Sequence, residues 1–178
     1  MDERVAQYVR ETESFKKRLA GFAADLDAAQ LQWTPPGIRN GIGWLVRHCA
    51  DEHWFCYGQL SGARVPANLN QSGFPVPAAG FRPATGRPYR WGFLSFDFDR
   101  DAPGPGLTGA EHVAYLDQAW DTLRRFVVDR YAEWADQRYV NWADRDCSGW
   151  WFLDHFLLDT AWHTGQAGYL RKLLDAAA

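Results

Sequence analysis

Four stretches of this chain space their apolar residues three and four apart, the pattern that lays one oily stripe along an α-helix. Val5, Tyr8, Val9, Phe15, Leu19, Phe22 and Leu26 carry the first stripe. It predicts one long helix, stopped before Trp33-Thr34-Pro35-Pro36-Gly37, since two prolines and a glycine do not continue a helix. Asn40 is the expected N-cap of a second helix running to about Leu60, with Gly62 past its end. Thr108 caps a third, with Glu111 at the capping-box position and Val113, Leu116, Trp120, Leu123 and Val127 along the stripe. Tyr131 to Cys147 is less regular and is expected to add a short helix before a turn. Ser148 then caps a last helix that continues to about Asp175. Stripes of this kind must bury against one another, so the expected fold is all-α, a four-helix bundle forming a single domain over 1–178.

The interval from Ala63 to Leu107 breaks the pattern with seven prolines and six glycines, and it is far longer than most connections in a compact domain. It also holds Phe74, Phe81, Tyr89, Trp91, Phe93, Phe96 and Phe98, which a disordered linker would normally lack. An ordered crossover between the second and third helices, wrapped on the bundle with a short extended piece at Tyr89–Phe98, is the expectation. Aromatic residues make up 16% of the whole chain, ten of them Trp. Such side chains suit an ordered core, a walled pocket or a subunit interface, and do not separate the three.

Charge and cysteine usage narrow the setting. With 19 basic and 22 acidic side chains the net charge is −3, which argues against a broad nucleic-acid-binding face. No run approaches the roughly 20 apolar residues of a membrane span. The opening MDERVAQYVRETESFKKR lacks the apolar core of a signal peptide. Three cysteines are not a disulfide framework. Cys49 and Cys56, seven apart on a helix, would sit roughly 10 Å from each other, beyond disulfide reach. A reducing cytoplasm is the expected location.

The chemistry is suggested by polar residues on oily faces. With His163 at zero and about 100° per residue, Asp159 falls near −40°, Gln166 near −60° and His155 near −80°. Phe152, Phe156, Leu170 and Leu173 share that side, while Asp154, Arg171, Lys172 and Asp175 lie opposite. On the second helix, His48, Glu52 and Gln59 lie among Trp44, Leu45 and Phe55, whereas His53 falls on the far side and is a poorer candidate.

Burying such groups without partners would cost several kcal/mol each, on the order of a lost hydrogen bond or more. One divalent cation would satisfy a carboxylate and neutral imidazoles from neighbouring helices, and bundle interiors commonly hold such sites. Asp159 and His163, four apart, can both reach one ion, with His48 donating across the bundle. Two histidines and a carboxylate leave positions open for water or substrate, as a working site requires. The same spacing also suits a metal-free ladder of hydrogen bonds, and it does not choose between them.

At these residues the chain resembles the DinB-like metalloprotein superfamily, which includes YfiT-type proteins and thiol-dependent transferases. IGWLVRHCADEHWF at 42–55 is similar to the family's second-helix pattern around a single ligand histidine, here His48. DTAWHTGQAGYLRKLL at 159–174 is similar to its last-helix run, with Gly-Gln and Leu-Arg after the ligand pair. The likeness covers most of the chain outside 63–107. It implies an up-down-down-up bundle, a divalent metal at one end of the helices and frequently a homodimer. Carried over, the ligands are His48, Asp159 and His163. Asp159 stands where histidine is commoner, and a carboxylate moves preference from zinc or nickel toward manganese or iron. His155 then becomes a fourth ligand or a supporting group, Glu52 orients His48, and either can move protons.

The resemblance implies an enzyme that joins a low-molecular-weight thiol to a small electrophile, the metal favouring the thiolate. A metal-dependent hydrolase is one alternative. Another is a non-catalytic bundle that binds a small apolar ligand or a partner subunit. A Cys nucleophile is the weakest option, because neither Cys49 nor Cys56 has a base at suitable spacing; both read as small structural hydrophobes.

Overall fold

The structure, a computed structural model, describes residues 1–63, 107–140 and 145–177. These form six helices and one two-stranded hairpin: α1 (Glu3–Ala23), α2 (Ala28–Gln32), α3 (Ile42–Ser61), α4 (Gly109–Asp129), α5 (Tyr131–Trp134), β1 (Arg138–Val140), β2 (Asp146–Ser148) and α6 (Gly149–Ala177). The chain is all-α in class, as its apolar spacing predicts. Apart from its end residues, the crossover expected over 63–107 lies outside the described residues.

The long helices α1, α4, α3 and α6 pack in that order as a ring, each against its two neighbours, with α6 closing back on α1. Trp120, Trp134, Phe55 and Phe152 are among the largest side chains sealed inside. Helix α3 is buried along 18 of its 20 residues, so its polar side chains cannot all face water. That burial forces Arg47, His48, Asp51, Glu52, His53 and Gln59 into the interior.

Three local expectations change. The first stripe does not make one helix: α1 ends at Ala23, and Asp27 starts α2 through a capping box with Gln30. A reciprocal cap satisfies the free amides of a new helix start better than a continued helix could with Asp27 inside it. The N-cap of α3 is Gly41 rather than Asn40, and it makes no side-chain cap bond. Gly41 sits where an added Cβ would come 2.4 Å from the Leu31 carbonyl oxygen, so only glycine fits against α2. Within Tyr131–Cys147 the short helix is present as α5, but it is followed by β1 and β2, paired antiparallel with Tyr139 opposite Cys147.

Other ends follow expectation. The Thr108 hydroxyl and the Glu111 carboxylate form a capping box at α4. The Ser148 hydroxyl accepts from the Trp151 amide at 3.3 Å. Gly62 closes α3 with a left-handed φ of +69°.

Candidate metal centre

His48 and Glu52 lie one turn apart on α3, and His163 faces them from α6. The His48 Nε2 is 3.1 Å from Glu52 Oε1. One donor atom each from His48, Glu52 and His163 lie within 4.8 Å of one another, a spread that a single cation can span. The rings of His48 and His163 meet edge to face at 4.9 Å. Trp44, one turn before His48, stacks on its ring at 4.6 Å and lies nearly perpendicular to the His163 ring at 6.1 Å. Trp44 thus acts as a wall that fixes both imidazoles.

His163 Nδ1 lies 2.8 Å from Gln166 Oε1. An amide oxygen only accepts, so the proton sits on Nδ1 and Nε2 keeps its lone pair for a ligand role. Burial depresses the pKa of His163, which keeps the ring neutral as a metal ligand must be.

Glu52 is under electrostatic tension. Burial first, and then the charge of Asp159, push its carboxyl well above the usual range. Its Oε2 is buried and has no hydrogen-bond partner among the described residues. An orphaned carboxylate oxygen beside two imidazoles is a position that a divalent cation would satisfy. The residues present therefore fit a metal.

Asp159 sits beside this group rather than among the three. Its Oδ2 is 2.9 Å from His155 Nε2. Burial would raise its pKa, but the His155 hydrogen bond and the charges of His155 and His163 outweigh that and hold it below the ordinary value. His155 stacks on Trp151 at 5.1 Å, and both members of the pair are about one-third exposed, at 33% and 34%. The carboxylate grouped with the histidines is thus Glu52, and Asp159 with His155 forms an adjoining, more solvated pair. Both pairs, 155–159 and 159–163, have a spacing of four, and spacing alone did not choose between them.

His53 lies outside the group, against Trp120 at 5.5 Å. Burial and then Lys16 lower its pKa to about 3, so it is neutral. Cys49 and Cys56 are buried, and burial raises both thiols well above their usual range, which suits a packing role.

Known proteins bear on this arrangement. The sequence model of the DinB superfamily matches residues 11–167. The chain is similar to a conserved protein from Enterococcus faecalis, known as a crystal structure, with a TM-score of 0.73 and 15% identity over 99% of each chain. At that identity the likeness concerns fold alone. No curated protein matches the chain. No helix among the described residues is long and apolar enough to cross a membrane.

Proposed function

The chain belongs to the DinB superfamily, and from that premise we propose that it is a divalent-metal-dependent enzyme joining a low-molecular-weight thiol to a small electrophile. The observation that carries this reading is the group of buried His48 and Glu52 with half-buried His163, in which Glu52 Oε2 has no hydrogen-bond partner among the described residues. These three would hold the metal, Glu52 taking the carboxylate place assigned from spacing to Asp159. Two imidazoles and one carboxylate suit zinc, nickel, manganese or iron and leave coordination positions for a substrate. A bound cation there would favour the thiolate form of an incoming thiol at neutral pH and orient it toward the electrophile.

The protein's own groups supply the remaining work. Gln166 holds the His163 tautomer, and Trp44 fixes the two rings and keeps water from their faces. The one-third-exposed His155–Asp159 pair takes the thiol proton: His155 Nδ1 accepts it while Nε2 donates to Asp159, which stabilises the resulting imidazolium. We place this chemistry in the cytoplasm, in keeping with three buried cysteines that form no disulfide among the described residues.

Metal analysis of untagged protein tests the first step. One equivalent is expected in the parent chain after reconstitution, lost in His48→Ala, Glu52→Gln and His163→Ala, and kept in Asp159→Asn. A parent chain that takes up no metal overturns the reading. A panel of thiols and electrophiles tests the second step; hydrolysis without any thiol would turn the reading to a hydrolase.

A further inference from the structure

On the side of α3 turned away from His48, a second set of buried polar atoms is left unanswered. At 100° per residue, His53 lies about 140° round the helix from His48. Both of its ring nitrogens are buried without a hydrogen-bond partner among the described residues, and so are the hydroxyls of Tyr8 and Thr12. His53 and Thr12 are fully buried, and Tyr8 is 3% exposed. One indole gathers them: the Trp120 ring lies 6.0 Å from that of Tyr8 and 5.5 Å from that of His53. Tyr8, Thr12 and Lys16 follow one another at single-turn steps along α1. Cys56 acts electrostatically on Tyr8, and Lys16 acts on His53. Thr12 therefore faces the turn of α3 that carries His53 and Cys56.

The polar neighbours are committed elsewhere. The Trp120 indole N–H donates to Glu13. The Lys16 ammonium lies 2.7 Å from Asp117 and 3.5 Å from Glu13, two carboxylates at the partly exposed edge of the bundle. Polar atoms buried bare would each cost as much as a lost hydrogen bond or more, and native interiors rarely carry them.

We propose that Tyr8, Thr12 and His53 hold ordered water at the centre of the bundle, in a site separate from the metal group. The occupant follows from what these atoms need. A neutral imidazole offers one donor and one acceptor, and a hydroxyl both gives and takes, so the guest must do both. The two ring nitrogens point apart, so a separate molecule sits at each, one of them also reaching the hydroxyls. Side chains exposed by 3% or less leave no mouth for anything larger. Water meets all of these conditions, and polar interior sites are where folded proteins keep it. Held between Tyr8 and His53, it ties α1 to α3, two helices that the ring order sets opposite each other.

Magnetic relaxation dispersion of the water signal counts molecules held inside the full chain for longer than the protein takes to tumble. The comparison is with the triple variant Tyr8→Phe, Thr12→Val, His53→Phe, which keeps the metal group intact so that water there cancels. The amplitude is expected to fall by at least the share of a single ordered water, with helical circular dichroism unchanged. An equal amplitude in a folded triple variant overturns the proposal. A second measurement needs no substitution and covers a variant that does not fold. In parent chain carrying isotope-labelled histidine, the His53 ring N–H is expected to show rotating-frame cross-peaks to water. Cross-peaks to the Tyr8 or Thr12 hydroxyl proton, with none to water, overturn the proposal.

Discussion

At Glu52 a single buried side chain opposes its own fold. Its carboxyl is buried beside the Asp159 charge, which favours the protonated form. Glu52→Gln removes that charge while keeping the shape, so the metal-free protein should gain about 1–2 kcal/mol, as when buried charge is replaced by a neutral group. The same substitution should abolish metal uptake. Thermal melts with chelator, set beside metal titration, read the two opposed effects; a loss of stability in the metal-free variant would contradict the account. Gln166 acts more gently, through the tautomer of His163. Gln166→Leu should weaken metal affinity by roughly 10–100-fold with little change in the metal-free melt, checked by calorimetric titration. How far these residues were legible depends on which bonds are local. His48 and His163 stood out because each is a polar ring in an oily stripe. Asp159, expected among the ligands, lies beside the group of His48, Glu52 and His163 because the periodicity of a helix fixes direction but not rotamer, and Asp159 has two histidines at equal spacing.

Helix boundaries are set by small groups at close approaches. Gly109, the first residue of α4, donates its amide to the Leu26 carbonyl at 2.9 Å. An added Cβ there would come 1.7 Å from the Ala23 carbonyl oxygen, which is backbone and cannot swing aside. Gly109→Ala should therefore destabilise the chain by about 2–4 kcal/mol, far more than the gain of roughly 1 kcal/mol that alanine brings to an open helix site. Denaturant unfolding measures this, and a neutral result would show that the α1–α4 junction yields. The four long helices were legible because 20 or so residues of repeating spacing outweigh any single exception, and the Thr108–Glu111 box marked one start by its chemistry. The break between α1 and α2 was hidden by Leu26, which keeps the stripe in phase across the turn. The hairpin gave no signal, since three-residue strands are too short to display alternation.

The whole molecule stores a pH dependence in the polar layer that α3 and α4 share. Arg47 Nε donates to Asp51 at 3.2 Å, the Tyr115 hydroxyl donates to the same carboxylate at 2.7 Å, and the guanidinium lies 4.2 Å over the Tyr115 ring. His112, buried on α4, faces this layer, and burial first and then the Arg47 charge lower its pKa to about 4. Its ordinary value is about 6.5, so below that pH the unfolded chain binds a proton that the folded chain refuses. The His112 contribution to stability is thus intact above pH 6.5, declines as pH falls toward 4, and changes no further below that. The full loss is at most about 3.4 kcal/mol, from the fall between about 6.5 and about 4 at about 1.36 kcal/mol per pH unit. Titrating carboxylates add their own slope, so the difference between proteins is the informative quantity. Denaturant unfolding of metal-free protein between pH 7 and 4 should fall more steeply for the parent chain than for His112→Asn. The two curves should run parallel above pH 7, where neither side chain is charged; equal slopes below pH 6 would mean that His112 takes up its proton without leaving the Arg47–Asp51–Tyr115 layer.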